Sequence, residues 1–304
     1  MGLRTGDPGS VGGYVIEERL GTGGMGTVYL ARDRRGRPVA VKVAHRHLAD
    51  DAEFRERFGR EVAAARTVTG PFTVPVLDSG LDAETPWMAS RYVPAPSLQR
   101  YVEEHGPLDE ARLRRLTAGL ARALRDIHRA GVVHRDLKPA NVLMAREGPL
   151  VIDFGVARAA DHDTLTVTGR VIGSPPFMAP EQLARPRDVG PPADVFALGA
   201  LLVYAATGAG PFDDESPYLI AHRVVAEPAR LGDAPPWLRP LLRRCLAKEP
   251  GQRPTPAEIL AAVSAAPARR RGRWRAARFP GGAVRRRRGR PVRSLCPCRS
   301  GPRG

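Results

Sequence analysis

Lysine is nearly absent from this chain, with three residues against 45 arginines. In such a background almost every generic cation is an arginine. Lys42, Lys138 and Lys248 are therefore conspicuous, since arginine and lysine are not interchangeable where a compact ammonium is required. Cysteine is as scarce. Three residues cannot build a disulfide framework, and Cys296 and Cys298 stand in a lone Cys-Pro-Cys without a second ligand pair of zinc-site spacing. Cys245, inside the amphipathic stretch Leu241-Leu242-Arg243-Arg244-Cys245-Leu246, reads as an inert core residue. Long hydrophobic runs are missing too. The longest, around Val195 to Ala206, is broken by Gly199 and falls short of the ~18–20 apolar residues that span a bilayer. The N-terminus lacks a basic-then-apolar signal pattern, so a cytoplasmic protein is the expectation.

Acidic residues are absent from one region only. The net charge is +16, yet residues 268–304 hold 14 arginines and no acid, leaving 34 basic and 32 acidic groups in residues 1–267. The body is nearly neutral and the basicity belongs to a tail. That tail, rich in Arg, Gly and Pro, has little to bury and is expected to be disordered. Three readings of it stand: a linker toward a membrane anchor, a contact for anionic lipid or nucleic acid, or a solvated extension without a selected role. The last is favoured, because composition alone confers no specificity.

At 304 residues the chain has enough length for one large two-lobed core. After a Gly- and Pro-containing leader at 1–11, short apolar runs predict strands over Tyr14–Leu20, Thr27–Ala31, Val39–Ala44, Val74–Leu77 and Pro86–Val93. Between the third and fourth, residues 51–68 have helical period, with Phe54, Phe58 and Val62 on one face. After Pro94 the pattern turns helical. Leu113, Leu116, Leu120, Leu124 and Ile127 recur at three- to four-residue spacing, and Gly131 is placed to end that helix.

The most specific pattern is His134-Arg135-Asp136-Leu137-Lys138-Pro139-Ala140-Asn141, with Asp153-Phe154-Gly155 after a short apolar strand. An Asp and an Asn five apart, then a second Asp, can align a hydroxyl against a metal-bound triphosphate. Upstream lies Gly21-Thr22-Gly23-Gly24-Met25-Gly26-Thr27-Val28, where a strand follows the last glycine; a dinucleotide-binding fold requires a helix there. Glycines let backbone amides approach phosphates closely. Next comes Val39-Ala40-Val41-Lys42, whose alternation puts Ala40 and Lys42 on one face. Downstream are Ala179-Pro180-Glu181, Asp194 and Lys248-Glu249-Pro250-Gly251-Gln252-Arg253-Pro254.

Over about residues 12–265 these motifs resemble the eukaryotic-like protein kinases, and among them the actinobacterial Ser/Thr kinases. The resemblance implies an α+β, bilobal protein kinase fold. A five-stranded first lobe with one helix (12–93) precedes a mainly helical second lobe (94–265), flanked by a flexible leader (1–11) and a disordered Arg-rich tail (266–304). It implies a non-specific serine/threonine protein kinase, a phosphotransferase that moves the γ-phosphoryl group of ATP to protein hydroxyls. The alternative is a nucleotide-binding pseudokinase or scaffold whose basic tail binds anionic lipid or nucleic acid.

By the same resemblance Asp136 orients the attacking hydroxyl, Lys138 neutralises the transferring group, and Lys42 contacts the α- and β-phosphates. Glu61 is chosen as the partner of Lys42 over Glu53 and Glu56, because it precedes the apolar stretch that faces the cleft. The nucleotide is expected on Leu20, Gly21, Thr22, Gly23, Gly24, Met25, Gly26, Val28, Ala40, Lys42, Arg91, Val93, Asn141 and Asp153. Asn141 and Asp153 would hold Mg²⁺, with Mn²⁺ as a substitute. Ser90-Arg91-Tyr92-Val93 stands where family members often have Met-Glu-Tyr-Val, which makes Ser90 a small gatekeeper. Lys138-Pro139 after the Asp implies Ser/Thr specificity. His134 supports the Asp-Phe-Gly turn, and Arg135 awaits an anion. Thr166 and Thr168, before Gly173-Ser174-Pro175, are the expected regulatory phosphosites, phosphorylated in a transient homodimer. Glu181 and Arg253 are expected to pair, and Asp194 to bond the catalytic-loop backbone.

Overall fold

From Tyr14 onward the alternation of apolar and polar residues resolves into an antiparallel sheet. The computed structural model describes residues 2–153, 175–185 and 188–265. The sheet contains β1 (Ser10–Val11), β2 (Tyr14–Thr22), β3 (Gly26–Arg32), β4 (Pro38–Ala44), β5 (Val76–Gly80) and β6 (Trp87–Arg91), in the order β1-β2-β3-β4-β6-β5. One face buries Ile16, Tyr29, Ala31, Val39, Val41, Trp87 and Ala89 together. At its other contact, Ala44 and Met88 meet Phe54, Phe58 and Val62 of α2 (Ala52–Thr67). That helix begins where the sequence has Asp51, whose carboxylate accepts from the amides of Glu53 and Phe54 at 2.9 and 3.2 Å.

Six strands and two helices stand where five and one are expected. A four-residue helix, α1 (Arg46–Ala49), precedes α2. The additional strand lies in the segment read as a loose leader. Gly12 and Gly13, at φ +57° and +86°, turn the chain back so that Ser10 and Val11 pair with Val15 and Tyr14. A Cβ on Gly12 would come within 2.0 Å of the Trp87 ring, so only glycine fits. Asp7 is tied down as well. Its carboxylate accepts from the Tyr29 hydroxyl at 2.7 Å and from Arg19. The Arg19 guanidinium holds the Asp7 carboxyl down at about 2.

The second lobe contains α3 (Leu98–His105), α4 (Glu110–Arg129), the hairpin β7 (Val142–Met144) and β8 (Pro149–Val151), then α5 (Pro180–Ala184), α6 (Pro192–Thr207), α7 (Pro217–Ala226), α8 (Arg239–Cys245) and α9 (Pro256–Ala265). Asp109 caps α4 through the Arg112 amide at 2.8 Å. The apolar stripe Leu113, Leu116, Leu120, Leu124 and Ile127 is fully buried, and Gly131 follows the helix at φ +76°. α6 is buried on nearly every side, the signature of a helix apolar all round at the centre of a fold. A Cβ on Gly199 would sit 2.8 Å from the Cys245 Cβ, so glycine sets how closely α6 approaches α8. Burial pushes the Cys245 thiol up to about 12, which leaves it inert. No helix among the described residues is long and apolar enough to cross a membrane. Phe154 and Gly155, Thr164, Thr166 and Thr168, Ser174, and the tail from 266 lie outside the described residues.

Two cations lock the lobe from within. Arg253, its side chain wholly buried, makes two bonds to Glu181 at 2.6 and 2.8 Å. It also donates to the carbonyls of Ala247, Pro192 and Lys248. Lys248 donates to the Arg223 and Val224 carbonyls at 3.2 and 2.6 Å, near the end of α7, with its ammonium 4.3 Å from the Phe212 ring centre. The narrow ammonium reaches both carbonyls and the ring face, which accounts for a lysine here. Burial, then Arg253, pushes Lys248 down to about 8.

Arg253→Ala strands the Glu181 carboxylate and should cost roughly 3–5 kcal/mol, read by urea unfolding. Because Lys248 titrates lower in the fold than in the unfolded chain, the unfolded chain holds the extra proton between about pH 8 and 10.5. Stability relative to Lys248→Met should therefore rise across that window. Melting curves at pH 7.5 and 9.5 check this, and wild-type stability that falls relative to the variant as pH rises would contradict it.

Candidate active site

The catalytic segment takes its shape from a carboxylate beneath it. Asp194, in the first turn of α6, is 1 % exposed. Its Oδ2 accepts from the His134 amide at 2.9 Å and its Oδ1 from the Arg135 amide at 2.8 Å. The His128 Nε2 on α4 lies 2.8 Å from the same Oδ2. This grip holds Arg135 at φ +62°, a left-handed conformation that a bulky side chain rarely adopts. Gln182 in α5 adds a bond from its Nε2 to the Arg135 carbonyl at 2.9 Å.

Pro139 opens a single tight turn, Pro139–Asn141, with its φ already suited to a helical start. The turn folds Asn141 back on Asp136. Asn141 Nδ2 donates to the Asp136 carbonyl at 2.9 Å and to its Oδ2 at 3.2 Å, while Lys138 Nζ donates to the same Oδ2 at 2.9 Å. The β7–β8 hairpin then returns the chain, pairing Val142 with Val151, and the Ile152 amide bonds the Asn141 carbonyl at 3.0 Å. His134 Nε2 meets the Ile152 carbonyl at 3.2 Å, and the Asp136 amide donates to its Nδ1 at 3.3 Å. The ring therefore carries its proton on Nε2 and supports the residue before Asp153. Asp153 has φ +54°. Arg135 and Asp153 are the two non-glycine residues with positive φ among those described.

From the first lobe, β4 delivers Lys42. Its ammonium bonds Glu61 at 2.9 Å and stands 3.6 Å from Asp153 Oδ1. Burial alone would push Lys42 down, but Asp153 and Glu61 outweigh it and raise it above the usual lysine range. Burial pushes the Glu61 carboxyl up, against the pull of Lys42. Of the three glutamates, Glu61 is the one that pairs with Lys42; it is 2 % exposed, on the face with Phe58, Val62 and Ala65, while Glu53 and Glu56 are exposed.

The glycine-rich turn bridges β2 and β3. Gly21 and Thr22 end β2, Gly23, Gly24 and Met25 form the turn, and Gly26 opens β3. A Cβ on Gly26 would lie 2.2 Å from the Val43 carbonyl, so that strand crossing requires glycine. Val28 pairs with Lys42, Ala40 with Ser90 and Val39 with Arg91. Leu20 falls at a register shift in β2 and is exposed. In the segment joining the lobes, the Arg91 side chain is exposed and its amide is spent on the Pro75 carbonyl at 3.3 Å. Val93 packs with Ala95, Leu143 and Ile152 against one small cluster. Leu143 lies on the opposite face of β7 from the buried Val142 and Met144 and is half-buried.

Arg135 is less bare than expected. Its guanidinium donates to the Val189 carbonyl at 3.2 Å, though burial still pushes it below the usual arginine range. No cluster of three Asp, Glu, His or Cys side chains suited to a metal occurs among the described residues. A carboxylate from Asp153 and the Oδ1 of Asn141, whose Nδ2 is turned to Asp136, are hard oxygen donors. They suit a cation that completes its shell with phosphates and water.

Removing the Asp194 carboxylate orphans two buried amides and an imidazole. Asp194→Ala should lower stability by roughly 2–4 kcal/mol, and hydrogen exchange at the His134 and Arg135 amides should accelerate. A variant as stable as the wild type, with those amides still protected, would contradict the role.

Residues 14–263 match the model of the protein kinase domain. The chain is 49 % identical over 262 residues to the probable serine/threonine-protein kinase PkwA of Thermomonospora curvata, covering 86 % of this chain and 35 % of that protein. It is 47 % identical over 258 residues to the serine/threonine-protein kinase AfsK of Streptomyces coelicolor, covering 85 % and 32 %. The chain thus spans about a third of the length of these curated relatives. Among solved structures, the Mycobacterium tuberculosis PknI kinase domain superposes with a TM-score of 0.67 at 28 % identity, over 87 % of this chain and 99 % of that one. A match running from the first long strand into the last helix, with relatives near half-identical across it, places this chain in the protein kinase family.

Proposed function

We propose that this chain is an ATP-dependent protein kinase that transfers the γ-phosphoryl group to Ser or Thr hydroxyls of protein substrates. The observation that carries the reading is the convergence of two ion-paired groups, Lys42–Glu61–Asp153 and Asp136–Lys138–Asn141. In this reading the substrate Oγ attacks the γ-phosphorus, the bond to the bridging oxygen of ADP breaks, and the hydroxyl proton passes to the Asp136 carboxylate. Asp136 serves chiefly to position that hydroxyl. Lys138, held 2.9 Å from Asp136, offsets charge on the transferring group. Lys42, kept in one place by Glu61, grips the α- and β-phosphates. Asn141 and Asp153 would hold Mg²⁺, or Mn²⁺ in its place, which would neutralise the phosphate oxygens. Leu20 to Gly26, Val28, Ala40, Arg91 and Val93 would enclose the nucleotide. Arg135, half-buried and bonded to one carbonyl, is suited to receive phosphate from Thr166 or Thr168.

Incubation with ATP and Mg²⁺ should label Thr166 or Thr168. Lys42→Ala and Asp136→Asn should each lower the rate by about 10²-fold or more, and EDTA should abolish labelling. Full activity in Asp136→Asn would overturn the assignment. ATP binding without any transfer, in the presence of a protein acceptor, would favour the pseudokinase alternative.

A further inference from the structure

A residue outside every motif named above holds the glycine-rich turn. His45 follows β4 directly. Its amide donates to the Met25 carbonyl at 3.1 Å, and its ring Nε2 lies 2.7 Å from the Gly23 carbonyl. A carbonyl oxygen only accepts, so Nε2 carries the proton, as it does in one neutral tautomer and in the imidazolium. His47 stacks on the ring, with centroids 5.5 Å apart and planes 15° from parallel, which restricts its rotation.

Among the described residues little else fixes this peptide. A Cβ on Gly21, Gly23 or Gly24 would meet none of their atoms within 4 Å, so they form no packing wall around the turn there. Met25 packs toward the cluster of Phe54, Phe58 and Val62 on α2, and the Gly23 amide closes the turn on the Gly26 carbonyl at 2.9 Å. The Gly23–Gly24 peptide itself rests on His45. In a trans peptide the carbonyl and the following N–H point opposite ways. Fixing the Gly23 carbonyl on His45 therefore fixes the Gly24 N–H toward the other side of the turn.

We infer that His45 is a positioning residue for the nucleotide: its imidazole pre-orders the Gly23–Gly24 peptide so that a backbone amide is ready for a phosphate oxygen. The inference rests on the nucleotide site proposed above. The gain comes from ordering a glycine pair before the ligand arrives, because glycine loses more backbone freedom than any other residue. His45 touches no reacting atom, so its effect should fall on nucleotide affinity rather than on the transfer step.

Three variants of the full chain separate donor from ring: His45→Gln keeps a donor, His45→Phe keeps the ring, and His45→Ala keeps neither. Calorimetric binding of ATP with Mg²⁺ and the ATP dependence of autophosphorylation are the readouts. His45→Phe and His45→Ala should raise both Kd and KM for ATP about three- to ten-fold, the loss of one net hydrogen bond, with kcat falling less than KM rises. His45→Gln should recover most of that loss. A His45→Phe protein that binds ATP like the wild type would overturn the inference. So would equal losses in all three variants accompanied by a matching fall in kcat and melting temperature. Wild-type protein that binds no ATP would instead overturn the nucleotide site and this inference together.

Discussion

Asp194 is a carboxylate buried almost completely at the start of α6, where the His134 and Arg135 amides and the His128 ring bond it. An ionised group at that depth is tolerable only if its lone pairs are used. Two catalytic-loop amides and the His128 ring supply the partners, so burying the charge and shaping the loop are the same event. Everything downstream inherits that shape. Arg135 is forced into a left-handed conformation, Asp136 then accepts from Lys138 and Asn141, and the β7–β8 hairpin returns Asp153 to the site. The helix that anchors the carboxylate is itself buried along most of its length, so the loop rests on a closely packed part of the lobe.

The first lobe meets this platform with a charge arrangement that is stable only in combination. Burial disfavours the charged form of both Glu61 and Lys42; each offsets that cost for the other, and Asp153 adds to the pull on Lys42. The three groups come from β4, α2 and the end of the second lobe's hairpin, so their pairing reports that both lobes are in register. Met25 in the glycine-rich turn packs on the same face of α2 that carries Phe58 and Val62, next to Glu61. Position of the turn and position of the glutamate are therefore linked through one apolar cluster. The strain at Arg135 and Asp153 is local to the chemistry, where an over-determined surrounding can hold it.

Much of this was legible in the residues themselves. The strand and helix periods placed β2 to β4 and α2 and α4 within a few residues of their observed bounds, because those segments bury one face and carry their own caps. Glu61 could be separated from Glu53 and Glu56 because it immediately precedes the apolar stretch of its helix. The scarcity of lysine pointed to Lys42, Lys138 and Lys248, and each ammonium is within hydrogen-bond reach of an acceptor on another residue. The short strand Ser10–Val11, by contrast, lies in the segment read as a loose leader; its return turn depends on Gly12, where the Trp87 ring occupies the space a side chain would need.

By itself, the sequence determined which chemistry-bearing side chains exist and on which face of each element they lie, because period and spacing are local properties of the backbone. Only the tertiary structure decided which of them meet. Lys42 and Glu61 lie 19 positions apart, and Arg135 and Asp194 59, and no local rule brings them together. Their contacts arise when a buried charge must find its partners. The same holds for His45 and Gly23, 22 positions apart, whose bond depends on a strand end being laid beside a turn.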